Sequence, residues 1–129
     1  MHQEIPAGLD ALARLVVDAA LAVHRNLGPG LLESAYQACL RLEIEKRGLQ
    51  CQAEQELPLI YDGVTIAGAY RIDLLVEEQL LVELKVVEKL LPVHTAQLVT
   101  YLKLSGKRLG LLINFNVPLI RDGIKRVAL

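Results

Sequence analysis

Three charged residues in the middle of the chain, Asp73, Glu83 and Lys85, have the types and spacing to act on a phosphate together. A polar turn at 77–79 separates two segments that can pair as a β-hairpin. Asp73 is then directly opposite Glu83, with the two Cβ atoms about 4.5–5.5 Å apart. One Mg²⁺ ion can bind between two such carboxylates when a phosphate and waters complete its octahedral shell. Lys85 could orient an attacking water or neutralise charge on the phosphate oxygens.

The pattern of side chains along this hairpin separates the charged residues from the core. Side chains alternate between the two faces of a strand, so Asp73, Glu83 and Lys85 share one face. The opposite face is wholly apolar and is predicted to be core; its residues are Ile72, Leu74, Val76, Leu80, Val82, Leu84 and Val86. The alternative interpretation of the charged face is an exposed surface with a cross-strand charge pair and no role in chemistry.

Further candidate site residues lie on two predicted helices. Gln97 and Tyr101 are four residues apart and share one face of a helix over 92–105, and His94 lies on the same stripe. Glu33 falls in the first turn of an earlier helix. The simpler interpretations are the polar edge of an amphipathic helix with a half-buried tyrosine, and an acid that interacts favourably with a helix dipole.

A mixed α/β fold must position these residues. Hydrophobic periodicity predicts helices over about 8–26, 31–47 and 92–105, and strands over about 52–60, 64–76, 80–87, 108–115 and 124–128. The order is α-α-β-β-β-α-β-(β). Because a helix joins the third and fourth strands, we expect these two to be parallel neighbours in a mixed sheet of four or five strands flanked by helices. With no repeat and no long linker, residues 1–129 are predicted to form a single domain.

The composition is that of a folded domain, with 53% hydrophobic and 22% charged residues. No run of about 18 uncharged apolar residues occurs, so no transmembrane helix and no membrane partner are expected. Residues 1–10 lack the basic start and apolar stretch of a signal peptide. Cys39 and Cys51 belong to no Cys/His cluster, and in a chain without a leader we expect both to be reduced. The predicted location is the cytoplasm.

The charge is unevenly distributed along the chain. The formal net charge is −1, which argues against an obvious nucleic-acid binder with a strongly basic surface. However, residues 103–129 carry six basic residues and one acidic residue. This segment is a candidate surface for a phosphate backbone, and its alternative interpretation is an ordinary solvated surface.

Four short motifs, taken in order, resemble one known protein family. Residues 30–36 fit the pattern G-x-x-E-x-x-Y, with Glu33 and Tyr36 at its specific positions. The other three are Arg71-Ile72-Asp73, Glu83-Leu84-Lys85 and His94-Thr95-Ala96-Gln97. Together they closely resemble the GxxExxY family, which is placed in the PD-(D/E)XK nuclease superfamily with its restriction-endonuclease-like fold. The α-β-β-β-α-β core order of that superfamily agrees with the elements predicted over residues 30–115.

The resemblance implies a role for each candidate residue. Asp73 stands at the position of the first metal-binding acid, although Arg71-Ile72 replace the proline-like turn that usually precedes it. Glu83 and Lys85 stand at the E-x-K pair, and Glu33 matches a helix acid that helps to hold the metal or its water. Gln97 and Tyr101 resemble the Q-x-x-x-Y element of RecB-like and lambda-exonuclease-like members, which contacts substrate or steadies the site. His94 and Tyr36, from the same motifs, are assigned to substrate binding or support of the site.

The function implied is hydrolysis of phosphodiester bonds, with DNA as the expected substrate and Mg²⁺ or Mn²⁺ as the cofactor. In this hypothesis Asp73, Glu83 and Glu33 ligate the metal, and Lys85 positions or activates the water. An alternative hypothesis is a nucleic-acid-binding or protein-binding module that has the same fold but no catalysis of its own. A third is a component of a larger assembly that uses its apolar surface to form a homo-oligomer.

Overall fold

Five strands form one mixed sheet and lie side by side in the order in which they occur along the chain. The computed structural model describes residues 7–129. The strands are β1 (Cys51–Tyr61), β2 (Val64–Val76), β3 (Leu80–Lys85), β4 (Leu109–Asn114) and β5 (Ile124–Ala128). The helices are α1 (Ala7–Leu27), α2 (Glu33–Lys46) and α3 (Pro92–Ser105), and a short 3₁₀ helix (Ile120–Gly123) precedes β5. β3 and β4 are parallel, and the other neighbouring strands are antiparallel.

This architecture confirms the predicted mixed α/β fold class and the predicted order of elements. Each predicted helix and strand is present, with bounds that differ by at most two residues. The parallel pairing of β3 with β4 across α3 is confirmed as well. The 3₁₀ helix was not predicted, because four residues are too few to show a hydrophobic period.

The loop that joins α1 to α2 depends on its glycines. Gly28 and Gly30 have φ angles of 65° and 108°, a region that residues with a Cβ rarely adopt. The chain therefore reverses within a few residues after Leu27. This reversal places Glu33 as the first residue of α2.

Helices cover both faces of the sheet. α1 and α2 pack on one face, where the larger core cluster includes Val16, Ala20, Leu40, Leu74, Leu84, Leu111 and Phe115. α3 packs on the other face, where the second cluster is formed by Leu57, Ile72, Leu81, Leu98, Tyr101, Leu102, Leu112 and Val127. The sheet is thus buried on both sides at its centre, as expected for a strand pair joined by a helical crossover.

Ile72 does not follow the predicted alternation of the hairpin. The pattern places it in the same cluster as Leu74, whereas the structure places it in the α3 cluster. β2 is paired with β3 only from Leu74 onward, and Glu54, opposite this point on β1, has a left-handed φ of 56°. The prediction for Ile72 is therefore wrong, because strict alternation holds only where the ladder is regular.

Among the helices of residues 7–129, none combines the length and the apolar character needed to cross a membrane. Single-domain organisation over residues 1–129 stays a prediction, and residues 1–6 of that range lie outside the described residues.

Candidate active site

Asp73 and Glu83 lie where the β2–β3 ladder ends. The register is the predicted one, but the last backbone pair is Leu74 with Val82. Instead of pairing through the backbone, the Asp73 N–H donates a hydrogen bond to Glu83 Oε1 at 3.0 Å. In the opposite direction, the Leu84 N–H donates to Asp73 Oδ2 at 2.9 Å. Each carboxylate is thus held by the backbone of the other strand, and the two strands diverge around them.

The two carboxyl groups are buried together, and the pKa of each is raised. Glu83 is 5% exposed, and Asp73 is half-buried. Burial, followed by the charge of Asp73, raises the pKa of Glu83 from its ordinary value of 4.5 to about 8. Burial also raises the pKa of Asp73 from 3.8 to about 6, although the hydrogen bond from Leu84 opposes this. A buried acid with such a pKa does not fit the alternative of an exposed charge pair.

The chemistry of this donor set fits a divalent cation. Carboxylate oxygens are the ligands that Mg²⁺ and Mn²⁺ prefer, and Asp73 Oδ1 and Glu83 Oε2 are not used in the two bonds described above. A cation at this position would favour the ionised form of both carboxyl groups and so offset the burial that raises their pKa values. Within the part of the chain that the structure describes, no group of three or more His, Cys, Asp or Glu side chains is close enough to hold a metal ion. The compact donor set is therefore a pair of carboxylates.

Glu33 and Lys85 lie near this pair without direct contact. Glu33 is exposed at the N-terminus of α2, and its negative charge raises the pKa of both Asp73 and Glu83. The positive charge of half-buried Lys85 lowers both. Among residues 8–129, the salt bridges within 4.0 Å do not include one to Lys85. Its ammonium group therefore remains available to a ligand, and the role of Glu33 as a direct or water-mediated metal ligand stays a prediction.

Tyr101 and Gln97 of α3 complete one side of the site. Tyr101 is 5% exposed, and burial, followed by the charges of Glu83 and Asp73, raises its pKa to about 12. The side chain of Gln97 lowers this pKa slightly, and the ring of Tyr70 packs edge-on against that of Tyr101 at 5.5 Å between centroids. The structure thus brings Tyr101 near the carboxylates, with Gln97 one helical turn before it, and the roles of both side chains stay a prediction.

His94 and Tyr36 perform mainly structural roles. The His94 N–H donates to Leu91 O, and the Leu91 N–H donates to His94 Nδ1 at 2.9 Å, so His94 caps α3. Tyr36 is fully buried and stacks on Phe115 at 4.5 Å between centroids. Its hydroxyl donates to Gly28 O at 2.5 Å. A fully buried tyrosine is not placed to touch a substrate; it supports the site by anchoring the loop that leads to Glu33.

Asn114 is a positioning residue that the sequence analysis missed. It is 1% exposed at the end of β4, next to Lys85 of β3. Its Oδ1 accepts a hydrogen bond from the Val87 N–H, and its Nδ2 donates to Val87 O at 2.9 Å. The segment that follows Lys85 is thereby held against β4. The available signal was a polar residue that ends the apolar run 109–113, where a buried amide needs local partners.

The basic residues of 103–129 do not form one surface. Arg126 pairs with Asp10 of α1 at 2.5 Å, whereas Lys125 lies in a cavity with Lys89 near the start of α3. Arg121 lies in a third place, beside Arg25. The prediction of a single phosphate-facing surface is therefore wrong, because successive residues of β5 point to opposite faces of the sheet.

Comparison with known proteins supports the same chemistry. A family model described as the PD-(D/E)XK nuclease superfamily matches residues 10–127. No curated protein and no solved structure matches the chain with statistical significance. The matched segment contains every candidate site residue, from Glu33 to Tyr101.

Proposed function

Because the chain belongs to the PD-(D/E)XK nuclease superfamily, we propose that it is a metal-dependent nuclease that hydrolyses phosphodiester bonds in DNA. The observation that carries this proposal is the buried pair of Asp73 and Glu83. Each carboxylate is held by the backbone of the opposite strand through one oxygen, and its other oxygen takes no part in those two hydrogen bonds. The motif over residues 30–36 further supports assignment to the GxxExxY family.

The metal proposed is Mg²⁺ or Mn²⁺. Asp73 and Glu83 would hold it, with Glu33 as a further ligand, directly or through a water. When bound, the ion polarises the phosphate and lowers the pKa of a coordinated water. The reciprocal hydrogen bonds keep the two carboxylates in place before the metal arrives, so little ordering is needed on binding.

The remaining side chains act on the substrate and the water. Lys85 carries a positive charge beside the carboxylates, where it can neutralise a phosphate oxygen or orient the attacking water. Tyr101 is buried where the charges of Glu83 and Asp73 act on it, and a lower local dielectric strengthens charge interactions there; Gln97 lies one helical turn before it. The position of these two side chains favours a role in supporting the site over direct contact with the substrate, and Gln97 is the more exposed of the two.

The proposed activity is tested by cleavage of labelled DNA and RNA, single-stranded and double-stranded, with and without Mg²⁺ or Mn²⁺. The variant E83Q keeps the shape of Glu83 and an acceptor for the Asp73 N–H, but it cannot bind a cation as a carboxylate does. We expect E83Q and E83A to lose metal-dependent cleavage, by about 10² or more in rate. The matched control is E88Q, the same change at an exposed residue five positions away, which should cleave like the wild type.

Two results would contradict this proposal. The first is metal-dependent cleavage that is unchanged in E83Q. The second is a wild-type protein that binds no Mn²⁺ at millimolar concentration in calorimetry, because this would favour the alternative of a binding module without catalysis.

We also propose that the protein acts in the cytoplasm, since both Cys39 and Cys51 are free thiols, and thiols persist in a reducing compartment. Formation of a homo-oligomer stays a prediction. Its candidate surface is the exposed tip of the β1–β2 hairpin, where Ile60, Tyr61 and Val64 are 61–71% exposed. Light scattering of the purified protein would decide it.

A further inference from the structure

A cavity lies near the carboxyl ends of β3 and β4, and Asp73 and Glu83 do not line it. It is a cavity of about 520 Å³, which is within the range of small-molecule sites. Arg25, near the end of α1, and Arg121, in the 3₁₀ helix, both line it. Its apolar lining includes Leu21, Leu119 and Ile120, and no acidic residue contributes to it.

The two arginines are not neutralised by the protein. Within residues 8–129, neither Arg25 nor Arg121 forms a salt bridge, although five other basic residues do. Both are exposed. Two unpaired guanidinium groups on one cavity, over an apolar floor, are suited to a phosphate that is attached to a less polar group. A nucleotide has this chemistry.

The cavity is rigidly built on the side of Arg121. Buried His24 donates a hydrogen bond from Nε2 to Val117 O at 2.7 Å, which anchors the segment just before Arg121 to α1. After Arg121, the backbone of Gly123 lies so close to Asn114 O that a Cβ there would approach it to 2.1 Å. Arg121 is therefore carried by a short turn that is fixed on both sides.

The cavity is also close along the chain to Glu33, the proposed further metal ligand. Pro29 lines the cavity, and Glu33 lies four residues later, so their Cα atoms are at most about 14 Å apart. Arg121 follows the carboxyl end of β4, and Lys85 is at the carboxyl end of the parallel strand β3. Parallel strands end at the same edge of a sheet, so one strand of DNA can reach both places. At about 3.4 Å per nucleotide, the span from Pro29 to Glu33 corresponds to roughly four nucleotides or fewer.

We propose that the Arg25–Arg121 cavity binds a nucleotide phosphate on the substrate strand, within a few nucleotides of the bond that is cleaved. This inference rests on the proposed nuclease function and adds a second contact site to it. The same chemistry would accept a free mononucleotide, and the two sources are distinguished in the experiment.

The test measures the binding of short fluorescein-labelled oligodeoxynucleotides by anisotropy in EDTA, so that no cleavage occurs. The variant R25Q/R121Q should bind about tenfold more weakly than the wild type. The slope of log K against log salt should fall by about 0.7 for single strands or about 0.9 for duplexes, because one phosphate contact is lost. The matched control is R14Q, an exposed arginine of α1 that lines another cavity; its affinity should stay within about twofold of the wild type.

Deoxyadenosine 5′-monophosphate serves as the second probe. Thermal stabilisation of the wild type by this mononucleotide, lost in R25Q/R121Q, would assign the cavity to a free nucleotide. Loss of oligonucleotide binding alone would assign it to the substrate strand. R25Q/R121Q that melts like the wild type and binds oligonucleotide with unchanged affinity and salt slope would overturn the proposal, as would an equal loss in R14Q.

Failure of this inference and failure of the proposed function give different results. Metal-dependent cleavage that is lost in E83Q, together with unchanged binding in R25Q/R121Q, would overturn the second site and leave the nuclease. If the wild type cleaves no substrate but R25Q/R121Q binds oligonucleotide more weakly than the wild type, the nucleotide site is kept and the nuclease function is overturned.

Discussion

At the scale of single residues, the central feature is that the carboxylates of Asp73 and Glu83 each accept a hydrogen bond from the backbone of the opposite strand while burial disfavours their ionisation. Burying two carboxylates side by side costs free energy in the ionised state, and each then retains its proton to a higher pH. The hydrogen bonds from the Asp73 and Leu84 N–H groups reduce this cost but do not remove it. The site is thus most stable when the pair is protonated or holds a cation.

This predicts an unusual dependence of stability on pH in the absence of metal. The folded-state pKa of Glu83 is about 8, above its ordinary value of 4.5. The unfolded chain therefore releases this proton first, and stability that is fully present below pH 4.5 is lost as the pH rises toward 8. Thermal unfolding in EDTA should show a melting temperature several degrees lower at pH 8 than at pH 5.

The matched variant for this experiment is E83Q, whose neutral amide does not titrate. We expect its melting temperature to change less between pH 5 and 8, and to exceed that of the wild type at pH 8. Parallel pH profiles for the two proteins would contradict the assignment of a raised pKa to Glu83.

At the scale of elements, the end of β4 fixes the position of the chain segments on either side of the site. Asn114 holds the chain after Lys85, and Gly123 allows the 3₁₀ helix to pack directly against the backbone of Asn114. Since β3 and β4 are parallel and joined by α3, the same strand end supports both the lysine and the second cavity.

The close approach at Gly123 predicts a severe effect of one methyl group. In G123A, the Cβ would meet Asn114 O at 2.1 Å, which the backbone of β4 cannot avoid without moving. We expect a loss of about 3 kcal/mol or more in the free energy of unfolding, measured in urea. The control G8A adds a methyl group that meets nothing within 4 Å, and it should change stability by about 0.5 kcal/mol or less. A G123A protein as stable as G8A would show that this contact is not tight.

At the scale of the whole molecule, the near-neutral net charge no longer argues against a nucleic-acid substrate. Two of the acids counted in it, Asp73 and Glu83, form the proposed metal position, and the charge of Glu33 acts on both, so a divalent cation would offset much of this negative charge. The basic residues of the C-terminal segment are spread over several faces. Binding of DNA should therefore be weak without the metal.

Stability should consequently depend on the metal. A ligand that binds only the folded chain stabilises it by an amount that grows with the logarithm of its concentration. We expect Mn²⁺ to raise the melting temperature of the wild type, and more at pH 8 than at pH 5, because protons compete for the same carboxylates. E83Q should show little or no rise, and E88Q should match the wild type. An equal rise in E83Q would place the metal elsewhere.

Much of the fold and of the site follows from the sequence by itself. The hydrophobic period changes from helical to alternating where the elements change, and Gly28 and Gly106 directly follow the last residues of α1 and α3. A turn of three residues set the register of β2 and β3, and so brought Asp73 near Glu83. Helix spacing likewise placed Gln97 and Tyr101 on one face. These are local properties, decided by residues close together along the chain.

The tertiary structure decided what depends on distant parts of the chain. It ended the β2–β3 ladder at Leu74, moved Ile72 to the other core cluster and buried Glu83 beneath α3. It also made Tyr36 an anchor for a loop, and brought Arg25 of α1 to Arg121, ninety-six positions later. Periodicity cannot report such features, because strand twist, burial and the meeting of loops are set only when all the elements pack on one sheet.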